Sequence, residues 1–185
     1  TTEIYTLSLH DALPIYYWIE MRCGDGNPAL GDRTDAQWRE TEGGTSGNVQ
    51  IFNAAGTDVA SADGVWLRVS RNAETDTFTS EYSMDGKTWV VAHTMKIDMQ
   101  DVVSYGLVIT SHVENASYMV TAEASDVSFG AGIFPKTVSL DTTLIANDAV
   151  DGSVTEANGV YTLVGNGSDI WNKGDEGFFM YKELS

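Results

Sequence analysis

The segment Glu74-Thr75-Asp76 is the first place in the chain where side chains could do acid–base chemistry. Two carboxylates at alternate positions lie on one face of a strand, and such pairs do the chemistry at many glycoside-cleaving sites. The next carboxylate, Glu81, stands at odd spacing from Asp76 and would face the opposite side of a regular strand. Residues 72–76 also have the composition of a turn, in which acidic side chains are solvated. The pattern therefore indicates a turn, and no catalytic residue is predicted here.

A loop predicted over residues 24–35 collects three carboxylates that suit a calcium ion. Asp25, Asp32 and Asp35 stand there, and hard oxygen donors on a flexible loop are the ligands that calcium prefers. The spacing matches no EF-hand loop, and Arg33 would compete for the same carboxylates. Calcium at these three aspartates is one interpretation and ordinary turn chemistry is the other. No further cofactor is expected.

Histidine and cysteine offer little chemistry in this chain. His93 and His112 stand singly near predicted strand ends, where histidines are more often hydrogen-bonded surface residues than metal ligands. No G-x-S-x-G turn is present to hold a serine nucleophile. Cys23 is the single cysteine, so an internal disulfide and a cysteine-based zinc site are excluded. We therefore expect that the chain is not an enzyme.

Trp38, Trp66 and Trp89 are the residues best suited to binding a ligand. Sugars stack their C–H faces on exposed aromatic rings, while polar neighbours order the hydroxyl groups. Trp66 alternates with Val65 and Leu67, so it is either exposed or covered by a second sheet. Large rings lie more often in a core, and both placements stay open at this point. Ligand binding is predicted at these three tryptophans.

Composition excludes several classes of partner. The 185 residues include 10 basic and 27 acidic side chains, for a formal net charge of −17. Nucleic acids and anionic membrane surfaces need a basic patch, so neither is expected as a partner. No apolar run approaches the roughly 18 residues of a membrane helix, so membrane insertion is not expected. Five Trp, eight Tyr and six Phe supply too much aromatic surface for a disordered chain, which predicts a folded core.

Residues 1–15 do not follow the pattern of the rest of the chain. They read TTEIYTLSLHDALPI, without the basic start of a signal peptide. Over its whole length this string resembles the conceptual translation of a short-read sequencing adapter. We therefore expect the segment to be foreign and to lie outside the fold, with an ordinary N-terminal strand as the alternative.

From Tyr16 onward, short runs of alternating apolar and polar residues are separated by Gly, Asn and Asp, which is typical of strands with one buried face. Asp85-Gly86 and Asn158-Gly159 are predicted hairpin turns, because these residues tolerate positive φ. A bulge is predicted near Ser125-Asp126, where the alternation changes phase. Strands are predicted over residues 16–22, 35–42, 47–53, 64–71, 105–111, 118–129 and 178–181, with a hairpin over 77–93. This pattern predicts an all-β fold, an antiparallel β-sandwich.

Four motifs resemble those of one family of secreted bacterial domains. They are GVWLRVSR at 64–71, FTSEYSMDGKTW at 78–89, YGLVITSH at 105–112 and ASDVSF at 124–129. In order and spacing they are similar to concanavalin A-like domains that are labelled LamG-like or DUF1349. The resemblance implies a concanavalin A-like jelly roll and a location outside the bacterial cell or on its surface.

The last part of the chain resembles the opening of the same family. Residues 159–171 read GVYTLVGNGSDIW and residues 178–185 read FFMYKELS, similar to the family's first strands. The resemblance implies an incomplete sandwich: the C-terminal part of one domain over 16–130, a linker over 131–136 and the N-terminal part of a second, similar domain over 137–185. Half a sandwich leaves strand edges unpaired, so docking of residues 160–184 on the preceding half is an alternative.

The resemblance also implies a function, a non-catalytic carbohydrate-associated or adhesive accessory module of a large secreted multidomain bacterial protein. Its partners would be a polysaccharide or glycan and the neighbouring domains of the same parent chain. Two alternatives stay open. One is a fragment of a glycoside hydrolase with a concanavalin A-like fold, and the other is a passive structural spacer without a ligand.

Overall fold

Antiparallel strands make up the regular structure of the chain. The computed structural model describes residues 4–7, 15–22, 33–59, 64–101, 103–113, 117–129, 132–133, 141–145, 151–171 and 174–184. In these ranges every regular element is a strand. No helix among the described residues is long and apolar enough to cross a membrane.

Seventeen strands follow one another along these ranges. The first ten are β1 Ile4–Leu7, β2 Tyr16–Arg22, β3 Arg33–Arg39, β4 Gly47–Gln50, β5 Trp66–Asn72, β6 Thr77–Ser83, β7 Val90–Lys96, β8 Val103–Ile109, β9 Val120–Ser125 and β10 Ser128–Phe129. The others are β11 Gly132–Ile133, β12 Asp141–Ile145, β13 Gly152–Ala157, β14 Val160–Gly165, β15 Ile170–Trp171, β16 Gly174–Asp175 and β17 Gly177–Leu184.

The largest sheet contains seven strands and forms one layer of the fold. Its order is β12-β17-β8-β1-β2-β3-β4, and its neighbouring strands pair antiparallel. Two three-stranded sheets, β5-β6-β7 and β13-β14-β9, form the second layer. Side chains alternate between the two faces of a strand, so facing sheets can share one apolar core.

The apolar core lies between these two layers. On the β2–β3 side, Ile19 of the large sheet belongs to a buried cluster with Leu67 of β5. On the β8–β17 side, Leu107 belongs to a buried cluster with Leu163 of β14. The pairing register carried through β1 places both clusters on the same face of the seven-stranded sheet. The prediction of an all-β antiparallel sandwich is therefore confirmed.

The two predicted hairpin turns are present. Asn158 and Gly159 have φ of 56° and 82°, and they close a two-residue hairpin between β13 and β14. Gly86, in the turn between β6 and β7, has φ of 69°. The predicted bulge near Ser125-Asp126 is instead the end of β9, because Asp126 at φ 54° interrupts the extended backbone before β10 begins.

The leading segment enters the fold, contrary to the expectation for residues 1–15. β1 pairs with β2 on one side and with β8 on the other. A strand in this position satisfies the backbone hydrogen bonds of two edges that would otherwise be unpaired. The expectation of a place outside the fold is therefore wrong for residues 4–7, while residues 1–3 and 8–14 lie outside the described ranges. The foreign origin of the segment stays a prediction.

The last part of the chain shares both layers with the strands before it. β17 pairs with β8 along seven residue pairs, and β14 pairs with β9 along six. Docking of residues 160–184 on the preceding half is therefore confirmed for the strands described there. Within the predicted linker 131–136, β11 pairs with β10. The division into one partial domain over 16–130 and a second over 137–185 stays a prediction about their origin.

Candidate functional site

The three predicted tryptophans do not form one site. Trp38 lies in β3, half-buried at the margin of the core, and its ring stacks on His93 with centroids 4.6 Å apart and planes 7° apart. The ring also lies against Gly47, where an added Cβ would come within 2.7 Å of Trp38 Cε2. Trp38 therefore packs between its neighbours, away from the surface that carries the other two tryptophans.

Trp66 and Trp89 contribute to one surface on the outer side of the second layer. We call the surface formed by Trp66, Arg68, Glu81 and Trp89 the outer platform. Trp66 is 40% exposed. The Arg68 guanidinium carbon lies 4.1 Å from the centre of the Trp89 ring, and Arg68 Nε donates to Glu81 Oε2 at 2.6 Å. Since a cation is attracted to an aromatic face, the arginine is held between a ring and a carboxylate.

The turn between β6 and β7 supports the Trp66 ring. An added Cβ at Gly86 would come within 2.8 Å of Trp66 Cε2, so the ring lies directly against this glycine. Asp85 Oδ1 accepts hydrogen bonds from the backbone N–H groups of Thr88 and Lys87, at 2.7 and 2.8 Å. These hydrogen bonds hold the pKa of Asp85 well below its usual range. The Asp85-Gly86 turn therefore positions the ring as well as the strands.

Asp35 lies inside β3 and not in a loop, because that strand begins at Arg33 and pairs residue for residue with β2. Its side chain is fully buried, and Asp35 Oδ2 lies 3.1 Å from Arg33 Nε and 3.3 Å from Arg22 Nε. Two guanidinium groups thus lie against Asp35 Oδ2, where a calcium ion would have to compete with them. The described residues contain no group of three or more metal-binding side chains. Asp25 and Asp32 lie outside the described ranges, so the calcium site stays a prediction.

The residues first considered for acid–base chemistry have structural roles. Residues 73–76 form the predicted turn, where Asp76 has φ of 52° and lies 2.8 Å from Arg71 Nη2. His93 is half-buried, with Nδ1 3.1 Å from the Tyr17 hydroxyl, and burial lowers its pKa. Asp76 thus holds the turn to β5, and His93 contacts β2 of the large sheet.

A second surface, which the sequence analysis missed, lies on the face of β2 and β3 that points away from the core between the layers. We call it the polar face, and its cross-strand pairs are Tyr16 with Arg39, Trp18 with Gln37, Glu20 with Asp35, and Arg22 with Arg33. Their alternate positions in YYWIEMR and RTDAQWR spell an aromatic and polar stripe. Scoring the two faces of each strand separately would have found this stripe.

A short hairpin covers the polar face. We call β15 and β16, with the flanking Asp169 and Glu176, the cover hairpin. Arg39 Nη1 and Nη2 donate to the two carboxylate oxygens of Asp175 at 2.6 and 2.8 Å. Gln37 Nε2 donates to the carbonyl oxygen of Ile170 at 2.6 Å. The hairpin thus satisfies a buried guanidinium and a buried amide of the sheet.

Tyr16 and Trp18 form an aromatic floor under these contacts. Their rings stack with centroids 3.9 Å apart and planes 11° apart. Burial raises the pKa of Tyr16, so its hydroxyl stays protonated. That hydroxyl donates to Ser46 Oγ at 2.5 Å and accepts from Gln37 Nε2 at 3.0 Å.

Glu20 and Asp35 form a pair of neighbouring carboxyl groups, which the sequence did not predict. They are directly opposite across β2 and β3, where Cβ atoms lie about 4.5–5.5 Å apart. Burial raises the pKa of both carboxyl groups above their usual values, while neighbouring arginines oppose the shift. Glu20 Oε1 accepts from Arg22 Nε at 2.8 Å. The pair is therefore held in an ionic network at the centre of the polar face.

His112 lies at the rim of the polar face. It has φ of 56°, which is uncommon for a residue other than glycine. Its Nε2 lies 3.1 Å from Asp169 Oδ2, and its side chain is 38% exposed. The hydrogen bond to Asp169 raises the pKa of His112 above its ordinary value of 6.5. Below its folded pKa, the protonated ring therefore ties Asp169, at the start of the cover hairpin, to the segment that follows β8.

This pair predicts a pH-dependent contribution to stability. Because the folded pKa of His112 is raised, the folded chain keeps a proton that the unfolded chain releases above about pH 6.5. The stabilisation is therefore complete below that pH and is lost as the pH rises through the folded pKa. We expect the free energy of unfolding of wild type to exceed that of His112→Asn by less than about 1 kcal/mol at about pH 5.5, and by almost nothing at about pH 8.5.

Urea unfolding of both proteins across this pH range measures the difference. Asparagine suits the comparison, because it tolerates positive φ and does not titrate. A difference that stays constant with pH, or grows at alkaline pH, would contradict the ion pair.

Comparisons with known proteins identify no relative of this chain. No protein-family model matches the chain, and no curated protein or solved structure matches it at a significant level. The outer platform and the polar face are therefore the basis for a functional proposal.

Proposed function

We propose that this protein is a non-catalytic, carbohydrate-associated or adhesive module, and that the outer platform is its binding surface. The observation that carries the proposal is Trp66, a large ring that is 40% exposed and lies against Gly86. A ring held in this way offers a flat apolar face on which the C–H face of a sugar can stack.

The polar neighbours of Trp66 support the same proposal. The Arg68 side chain is 46% exposed, so its ion pair with Glu81 leaves guanidinium N–H groups facing solvent. These groups can donate hydrogen bonds to sugar hydroxyls, while the Glu81 carboxylate can accept hydrogen bonds from sugar hydroxyls. Because Arg68 is already held between Trp89 and Glu81, little conformational entropy is lost when a ligand binds.

The proposal includes a concanavalin A-like sandwich in a large secreted multidomain bacterial protein, located outside the cell or on its surface. The resemblance of residues 64–71 and 78–89 to that family supports this part, and the same residues build the outer platform. A polysaccharide or glycan and the neighbouring domains of the parent chain are the proposed partners. The net charge of −17 argues against nucleic acid.

Removing the exposed ring tests the platform. Trp66→Ala is expected to weaken binding by about tenfold or more to a polysaccharide that wild type binds, as truncation of a central interface aromatic does. The measurement is retardation in native gels cast with neutral soluble polysaccharides, after a glycan array has identified one that wild type binds.

Phe52→Ala is the matched control, because Phe52 is 53% exposed and lies outside the platform. The array is read with calcium and with a chelator, which also tests the calcium hypothesis. Equal retardation of Trp66→Ala and wild type would exclude the platform. Wild type that binds no glycan in either condition would favour the passive spacer.

A glycoside hydrolase is the second candidate, and the pairing of Glu20 with Asp35 is the observation that favours it. Retaining enzymes hold two carboxyl groups about 5–5.5 Å apart, one of them with a raised pKa. Against this candidate, Glu20 is 5% exposed, Asp35 is 0% exposed, and arginines bind both. Release of reducing sugar by wild type but not by Glu20→Gln would establish the enzyme, and no release would favour the module.

A further inference from the structure

The contacts between the cover hairpin and the polar face resemble those of a ligand in its site. Arg39 is fully buried and donates to both oxygens of Asp175, at 2.6 and 2.8 Å. This two-pronged geometry is the one with which arginine binds a free carboxylate. The carbonyl oxygen of Ile170 accepts from Gln37 Nε2 at 2.6 Å, as a sugar oxygen would.

The floor of the same site suits the remainder of a sugar. The side chain of Ile170 packs in one cluster with Tyr16 and Trp18, whose rings stack 3.9 Å apart. The hairpin therefore places an apolar group over the rings and two acceptors over the guanidinium and the amide. A sugar acid has the same division, with an apolar C–H face and oxygen acceptors around its edge.

Packing alone does not account for these donors. Replacing a buried ion pair with well-packed hydrophobic residues is often neutral or stabilising. Apolar packing already holds the hairpin next to these donors, because Ile170 packs against Val108 and Phe179. Arg39 and Gln37 thus hold the hairpin through polar groups that an apolar contact would not need, and the same groups suit a ligand.

The cover hairpin is also built so that it can be displaced. β15 and β16 have two residues each, and isolated two-stranded hairpins are marginally stable. At the rim, the hairpin is held by His112 and Asp169, whose side chains are 38% and 30% exposed. An exposed ion pair contributes little stability, so the hairpin can open at this end first.

We propose that the polar face binds a carboxylate-bearing sugar, a uronate residue of a polysaccharide, and that the cover hairpin occupies this site as an internal ligand. The uronate carboxylate takes the place of Asp175 on Arg39, and a sugar oxygen takes the place of the Ile170 carbonyl on Gln37. This site does not use the outer platform, so it goes beyond the binding proposed there. Because ligand and hairpin compete, the affinity of wild type equals the intrinsic affinity of the open site multiplied by the fraction of molecules in which the hairpin is open.

Titration calorimetry of the full chain with trigalacturonate tests this site. Asp175→Asn removes the charge of the internal ligand, and His112→Asn removes the rim contact, while both keep Arg39 and Gln37. At about pH 5.5, Asp175→Asn is expected to bind trigalacturonate about tenfold or more tightly than wild type, and His112→Asn about two- to fivefold more tightly, because weakening the hairpin raises the open fraction. His112→Asn leaves the buried ion pair intact, so it decides the question if Asp175→Asn does not fold.

Hydrogen exchange reports the displacement itself. The Glu176 amide donates to the Asp169 carbonyl oxygen at 2.8 Å in the closed hairpin. We expect its exchange to become faster when trigalacturonate is added. A merely structural hairpin would show slower or unchanged exchange in the presence of the sugar.

Maltotriose and sodium acetate separate the two halves of the ligand. Maltotriose has no carboxylate, and acetate has a carboxylate without a sugar, so both are expected to bind at least about tenfold more weakly than trigalacturonate. The proposal is overturned if His112→Asn binds trigalacturonate no more tightly than wild type does. It is also overturned if maltotriose or acetate binds as tightly as trigalacturonate. Failure of the outer platform is read separately, from Trp66→Ala on neutral polysaccharides.

Discussion

Replacing Arg39 with methionine is expected to lower the free energy of unfolding by about 3–5 kcal/mol. The reason is Asp175, which is 2% exposed and would remain as a buried carboxylate without its guanidinium partner. Removing one member of a buried pair leaves the desolvation cost of the other uncompensated. Urea unfolding near neutral pH, followed by circular dichroism, measures the loss.

Two further variants show whether burial is the cause. Arg68→Met breaks the ion pair with Glu81, in which the arginine is 46% exposed, and is expected to cost under about 1 kcal/mol. Arg39→Met combined with Asp175→Leu removes both buried charges and is expected to recover most of the loss. If Arg39→Met costs no more than Arg68→Met, the buried pair does not hold the cover hairpin.

Replacing Phe179 with alanine is expected to lower the free energy of unfolding by about 3–5 kcal/mol, through lost contacts and the cavity left behind. Phe179 of β17 is 0% exposed and packs with Tyr16, Trp18 and Val108. Two of these partners lie in β2, more than a hundred residues earlier in the chain. The loss is therefore expected to appear in a single transition and to speed amide exchange in both β2 and β17.

Phe52→Ala controls for the loss of an aromatic ring, because Phe52 is 53% exposed and its truncation is expected to change stability by less than about 0.5 kcal/mol. Two separate unfolding transitions in Phe179→Ala, with unchanged exchange in β2, would contradict the shared core. That result would mean that residues 137–185 fold as an independent unit.

The outer platform and the polar face differ in access. Trp66 meets solvent directly, whereas Arg39, Asp35 and Gln37 are all 0% exposed. A ligand can therefore reach the platform without any change in the fold, but it reaches the polar face only when the cover hairpin moves. Binding at the platform should consequently follow simple saturation, while binding at the polar face should depend on variants of the hairpin.

Local features of this protein followed from the sequence by itself. The alternation of apolar and polar residues predicted the strand Tyr16–Arg22 with its observed bounds. The turns at Asp85-Gly86 and Asn158-Gly159 were predicted because tolerance of positive φ is a property of the residue type. Neither feature depends on a distant partner, so each could be read from a few consecutive residues.

Strand partners were decided by the tertiary structure. β8 pairs with β17, and β1 enters between β8 and β2, although no local pattern indicates either pairing. The backbone donors and acceptors of a strand are the same whatever its side chains, so they do not specify which edge it joins. The choice follows from how the chain buries its apolar faces as a whole, which is why the place of residues 4–7 was predicted wrongly.

The candidate sites also combine features that the sequence indicates with features that only the tertiary structure decides. Sequence indicated the tryptophans as ring-bearing candidates, but only the fold exposes Trp66 and places Trp38 against His93. The ion pair between Arg39 and Asp175 joins residues 136 positions apart. A charged side chain is buried only where the folded chain brings it a partner, and neither residue type nor local spacing encodes a partner at that distance.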